Sequence, residues 1–443
     1  MQVSRWDWIR DLHFLHQNGV ISAAEMRKTI ILFAIALGAT PAWGQSGPVP
    51  DVQRDQCYGS KASADQVIAA CTALIAADQG KPSDQAKDYA NRAHAQRANG
   101  LTELAIADAA RAIQLRPDYE FAYNIRGIAN ADKGLSERAI ADFSYAIYLK
   151  RDYGDAWFNR GNRYRDAGDL DKAIADYAQA IAVAPDNGDA YVNRGNTYRD
   201  KGQGDLAAAD YARAMALNAN DPKAYYNRGK LHNTMRHYDS ALADLNRAIA
   251  LKSDNAGYFY ERGFANGELG KSDPAITDFT QAIILDPGFI SAYYGRGLHY
   301  RKLGRFDRAA ADLTHVIEQK PDNAAAYQIR GLVYRQEGRF DLAMADLDRA
   351  IVLKPELVEA YVLRGAILSQ KRLCERAIGD FTKAIDLQWD NAEALSGRAN
   401  CYVSTGRKEQ AYEDYDRALA LNPNDRWSRA QLARLAAELT PVW

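Results

Sequence analysis

The sequence predicts an all-α protein, a solenoid built from tandem helical hairpins. Three observations carry that prediction. A 34-residue segment recurs ten times between Ala86 and Asp425 without insertion or deletion, each copy holds two amphipathic helical stretches, and small residues return at fixed places in every copy. A strict period of this length marks chains whose units bury their apolar faces only against their neighbours. The copies begin at Ala86, Glu120, Gly154, Gly188, Pro222, Ala256, Ile290, Ala324, Val358 and Ala392, and positions are counted from those starts.

Ahead of the copies, residues 26–44 read as a secretory signal peptide. Met26-Arg27-Lys28 is a short basic stretch, and residues 29–39 form an apolar core too short to span a bilayer comfortably. Residues 39–44 then offer cleavage after Ala42 or Gly44. On this reading Met26 is the true start and residues 1–25 are an upstream extension. The mature protein is then periplasmic or secreted, with no membrane span after cleavage. The alternative is a buried amphipathic helix in a cytoplasmic adaptor translated from Met1. Residues 45–85 hold Cys57 and Cys71, and Asp65–Ile75 reads as a lone second helix capping the first copy. A Cys57–Cys71 disulfide closes a loop of about 15 residues and stabilises by ~3 kcal/mol in the chain-entropy model, which suits an oxidising compartment. Cys374 and Cys401, in adjacent copies, read as small buried hydrophobes.

Within the copies (residues 86–425), position 8 is Gly in eight and Ala in the outer two (Ala93, Ala399). Position 20 is Ala throughout, and position 27 is Ala except at Val316. Small residues at these spacings let helix backbones approach, and a larger side chain there overpacks the contact by roughly 1–3 kcal/mol. Position 15 is Gly in eight copies, as a left-handed helix end prefers, and position 32 is often Pro, which stops the second helix. Larger residues at positions 4 and 24, such as Trp157 and Tyr177, fill the space between helices. Position 7 is Arg in all ten copies and position 23 is Asp in all ten. The two columns suggest repeated ion pairs that fix helix register, within one copy or across two, in preference to a charged ligand-binding stripe. Residues 426–443 continue as one helix, the terminal cap a solenoid needs.

The formal charge of −1 provides no basic field for nucleic acid. Scattered histidines form no metal-ligand spacing. Residues 265–272 loosely match a phosphate-binding loop, yet they follow a helix where that loop needs a strand. No catalytic constellation stands out among the repeating charges, and no cofactor or enzymatic activity is expected.

These offsets of bulky residue, small, small and Pro resemble the tetratricopeptide repeat family over about three quarters of the chain. The resemblance implies a right-handed superhelix, with the first helix of each pair lining a concave groove through positions 2, 5, 6, 9, 12 and 13. Position 6 holds Asn91, Asn159, Asn193 and Asn227; position 9 holds Asn162, Asn196 and Asn400, with Lys230 in the fifth copy; position 12 holds Arg165, Arg199, Arg301 and Arg335. Tyr226, Tyr260, Tyr294 and Phe264 make the groove aromatic further along. Asn offers a donor and an acceptor, so a row of them can clamp an extended peptide backbone. The row is similar to the asparagine ladder of O-linked N-acetylglucosamine transferases. A basic line favours acidic residues or a C-terminal carboxylate, and rigid aromatics serve as anchors. The carboxylate clamp of chaperone-binding family members is only partly matched, by Asn162, Asn193 and Lys223, with Phe158 and Asn227 where Lys and Arg would stand. The expected role is therefore a non-catalytic scaffold that binds an extended segment of a partner protein. In the other reading the Asn residues are a family habit and Arg165 and Arg199 pair with Asp166 and Asp200.

Overall fold

The structure, a computed structural model, describes residues 51–59, 61–77 and 81–439. The expected signal segment 26–44 and residues 1–25 lie outside the described residues. Among the described residues there are 23 helices and no strand. The short helix α1 (Asp51–Tyr58) and α2 (Ala64–Ala77) come first. Ten pairs follow in the predicted register: α3 (Pro82–Ala98) and α4 (Thr102–Leu115), α5 (Glu120–Asp132) and α6 (Ser136–Leu149), α7 (Gly154–Asp166) and α8 (Leu170–Val183), α9 (Gly188–Asp200) and α10 (Gly204–Leu217), α11 (Pro222–Thr234) and α12 (Tyr238–Leu251), α13 (Ala256–Glu268) and α14 (Ser272–Leu285), α15 (Ile290–Lys302) and α16 (Phe306–Gln319), α17 (Ala324–Gln336) and α18 (Phe340–Leu353), α19 (Val358–Gln370) and α20 (Cys374–Leu387), α21 (Ala392–Ser404) and α22 (Lys408–Leu421). Helix α23 (Arg426–Leu439) packs on α22 and buries Leu435. The chain divides into two compact units, one ending at Leu217 and the other starting at Asn218. Within each, every helix packs against the next.

The small-residue columns work by contact. A Cβ built on Gly127 would lie 2.6 Å from the Phe143 ring, and one on Gly195 would lie 2.8 Å from Tyr211. Position 8 therefore has no side chain because position 24 sends a large one against it. In the first copy position 24 shrinks to Ala109, and position 8 grows to Ala93, while the tenth copy holds Ala399 at position 8 beside Tyr415 at position 24. The position 20 and 27 alanines are at most 3 % exposed throughout.

Position 7 pairs with position 23 of the same copy. In all ten copies the guanidinium grips the carboxylate through Nε and Nη2, at 2.6–3.2 Å. The aspartates are 3–8 % exposed. In nine copies an aromatic ring at position 4 or 11 sits 4.8–5.8 Å from the guanidinium, and Arg160, Arg194, Arg296 and Arg330 have rings at both. Where position 11 is Asn, its amide donates to the aspartate instead, as Asn130 does to Asp142 and Asn266 to Asp278, each at 3.0 Å. The hydrogen bonds it donates to Asp346 hold Arg330 above its ordinary pKa.

The third donor, Nη1, leaves the copy. It reaches position 25 of the preceding copy at Ser144, Asn246, Thr280, Thr314, Asp348 and Thr382, at 2.6–3.1 Å. Ala110, Ala178 and Ala212 hold that position ahead of Arg126, Arg194 and Arg228. One side chain thus fixes the register of a hairpin and joins it to its neighbour. Exposed pairs between copies, such as Arg305–Asp273 at 3.0 Å, contribute roughly 0–1 kcal/mol. The caged pairs matter more, because removing one partner leaves a buried charge.

The position 15 glycines take φ of 68–79°. Each closes its first helix in a Schellman turn, seen where Leu135 N–H donates to the Asn130 carbonyl at 2.9 Å and Gly134 N–H to Ala131 at 2.9 Å. Arg236 and Arg372 stand where the glycine is missing and adopt the same left-handed conformation, φ 60° and 59°. At the N-terminus, α2 is preceded by α1, where the sequence suggested a lone helix. Eight residues are too few for a stable isolated helix. A disulfide places Cys57 and Cys71 with their Cα atoms 5.0 Å apart, and the Tyr58 hydroxyl donates to Asp88 of α3.

Candidate functional site

In the first unit, the expected Asn residues join into hydrogen-bonded strings. Asn159 Nδ2 donates to Asn124 Oδ1 at 3.1 Å, and Asn124 Nδ2 donates to the Tyr153 hydroxyl at 3.2 Å. Asn193 Nδ2 donates to Asn162 Oδ1 at 2.9 Å. That same Oδ1 accepts from the fully buried Tyr177 hydroxyl at 2.7 Å. Asn196 Oδ1 accepts from the Tyr211 hydroxyl at 2.8 Å and from Arg199 Nη1 at 3.4 Å. Position 9 is Asn only in copies whose position 24 is Tyr, the third pair being Asn400 and Tyr415 at 2.7 Å. These amides first satisfy buried phenols. Arg165 and Arg199 meet Asp200, at 3.7 Å and 2.9 Å.

In the second unit, Lys230, Tyr260 and Phe264 line one cavity of about 460 Å³ between α11, α12 and α13. The Tyr260 ring lies tilted against Phe289 with centroids 4.8 Å apart, and burial raises its pKa. The Tyr226 ring lies tilted against Tyr258 at 4.8 Å. Asn227 Nδ2 donates to the Lys223 carbonyl of its own helix at 2.9 Å. Burial raises the pKa of Tyr294. Arg301 Nε is buried with no partner among the described residues, and no ion pair among the described residues engages Arg335.

The sequence reading passed over Asn233, Glu261, Glu268 and Tyr238, which share that cavity. Asn233 is 5 % exposed; its Nδ2 donates to Glu261 Oε2 at 2.8 Å and to the Glu261 carbonyl at 3.0 Å, while its Oδ1 has no partner. Their signal is a break in the columns: Asn at position 12 where Arg recurs, and Glu at position 6 where Asn recurs.

A larger cavity of about 490 Å³ lies between α19, α21 and the loop leading to α23. Gly397 on its wall has no room for a side chain: a Cβ there would lie 2.5 Å from Phe381. Two of its polar side chains are already bonded. Asn400 Oδ1 accepts from Tyr415 and from Trp427 Nε1 at 3.3 Å, and Asp425 accepts the Ser428 hydroxyl at 2.6 Å and caps α23 by accepting from the Ser428 N–H at 3.2 Å. The smaller cavity, with its orphan acceptor, is the better candidate site. Among the described residues there is no group of three or more metal-ligating side chains, and no helix long and apolar enough to cross a membrane.

Tetratricopeptide repeat models match residues 294–357, 222–255 and 392–425, and a TPR repeat model matches 161–198 and 195–235. The chain is 30 % identical to MamA, the match covering 37 % of this chain and 96 % of that one at a TM-score of 0.34. The chain belongs to the tetratricopeptide repeat family. It is also similar to a tetratricopeptide repeat protein from Parabacteroides merdae, at 22 % identity over 56 % of this chain and 98 % of that one, TM-score 0.42. A match to the APC/C hetero-tetramer Cut9–Hcn1 has 13 % identity over 98 % and 96 %, TM-score 0.46. No curated protein matches the chain in sequence. Tetratricopeptide repeat chains are protein–protein interaction scaffolds, generally without catalytic activity, so this chain's partner is a protein.

The Asn–Tyr pairs can be tested directly. Asn162→Ala strands the buried Tyr177 hydroxyl and should cost about 1–3 kcal/mol in urea unfolding. Adding Tyr177→Phe should recover most of that loss; a double variant no more stable than the single one contradicts the pairing.

Proposed function

We propose that this protein is an exported, non-catalytic scaffold that captures an extended segment of a partner protein on the first-helix faces of its units. The observation that carries this reading is the orphaned Asn233 Oδ1, supported by the buried Arg301 Nε. A buried polar atom without a partner costs about 1–3 kcal/mol, and a bound chain would restore the missing bonds. The half-buried rings of Tyr260 and Tyr294 add rigid anchors. The first-unit residues Asn159, Asn162, Asn193 and Asn196 take part through the atoms left after their internal bonds. Arg165, Arg199, Arg301 and Arg335 offer charge to acidic groups, and Tyr226, Asn227, Lys230 and Phe264 extend the surface.

Export is supported by the apolar stretch at 29–39 and by Cys57–Cys71. A second reading keeps the protein in the cytoplasm, translated from Met1. It is favoured by Cys374 and Cys401, which pack in one core cluster yet stay free thiols.

On a random-peptide array, the full chain should bind a subset of segments. Arg301→Ala with Arg335→Ala should weaken the acidic ones about tenfold, about 1.4 kcal/mol; an array with no bound peptide overturns capture. Sequencing the N-terminus of protein from its native host should find a start near Trp43 or Gln45, and an intact Met1 contradicts export.

A further inference from the structure

We infer that the cavity between α11, α12 and α13 receives a basic side chain, a lysine ammonium or an arginine guanidinium, from the captured segment; this rests on the capture reading above. The deep wall of the cavity is made of acceptors. Asn233 Nδ2 is committed to Glu261, and turning the amide over would place its oxygen against a carboxylate, so Oδ1 is the atom left facing no donor. Glu261 itself is 9 % exposed. A buried carboxylate beside an orphan carbonyl oxygen suits a group that brings several N–H donors and a positive charge.

The surrounding side chains fit the same occupant. Glu268 is exposed, accepts the Tyr238 hydroxyl at 3.2 Å, and has no ion pair among the described residues. Tyr260 and Phe264 offer aromatic faces, which attract cations. The cavity's own cations are Lys230, half-buried on its wall, and Arg236, exposed on the turn after α11. The columns point the same way. Position 12 is Arg97, Arg165, Arg199, Arg301 and Arg335 in other copies, but Asn233 and then Gly267 here, while Glu261 takes a position held by Asn in four copies. The recurring arginine is lost and a carboxylate gained where the cavity lies.

The test uses the full chain and a library of 12-residue peptides at about 0.3 M salt, where screening suppresses loose attraction. Bound peptides should be enriched in Lys or Arg. Replacing that one residue by norleucine, or by citrulline for Arg, should weaken binding tenfold or more. Glu261→Gln and Glu268→Gln should abolish that discrimination, bringing the affinity for the basic peptide down to that for the norleucine peptide. Glu268→Gln, at an exposed site, keeps the test valid if Glu261→Gln fails to fold by circular dichroism. Lysine and arginine series run in parallel tell which cation is taken. Peptide binding without a basic preference, or discrimination untouched in the folded variants, overturns this inference and leaves capture standing. An absence of any peptide binding overturns both.

Discussion

The bidentate bond from the position 7 arginine to the position 23 aspartate is the constraint on which the rest of the structure depends. It spans the two helices of a hairpin at one height, so it sets their register as well as their contact. Aromatic rings or an Asn amide cover it, and the leftover donor passes to the preceding hairpin wherever a polar side chain waits. A lysine would hold the charge and lose the fork, and with it two of the three links. The small-residue columns follow from this geometry: once the helices are pinned, position 24 must fill a fixed gap, and position 8 must stay out of its way.

The candidate site depends on that pinning indirectly. The first helices present positions 6, 9, 12 and 13 to one side because their opposite faces are occupied by the caged pairs and the alanine columns. Polar groups on this exposed stripe are drawn inward wherever a buried phenol needs a partner. Asn162 and Asn196 therefore contribute to stability before they contribute to any ligand. Asn233, at position 12, bonds no phenol: its amide turns instead to Glu261.

Much of the fold was legible in the sequence because the copies repeat without slippage. Helix bounds, the glycine turns and the terminal cap follow from periodicity and from chemistry at fixed offsets. The partner of each arginine was not legible, for a specific reason. Both columns are invariant, so nothing in their variation distinguishes pairing within a copy from pairing across two. The Asn–Tyr pairs were readable in principle, since Asn162, Asn196 and Asn400 occur only where Tyr177, Tyr211 and Tyr415 do. At the site, Lys230, Tyr260 and Phe264 were found as members of runs. Asn233 and Glu261 were missed because their information lies in interrupting runs, and their closeness depends on how α11 packs against α13.

The central claim is that the caged pair acts as one unit, and a double-mutant cycle on Arg330 and Asp346 tests it most directly. Urea unfolding of Arg330→Ala, Asp346→Ala and the double variant measures the coupling. Each single variant should lose about 3–5 kcal/mol, because the abandoned partner remains buried, and the double variant should lose little more than either. Costs that simply add would show that the two side chains stabilise the hairpin independently, and would contradict the account.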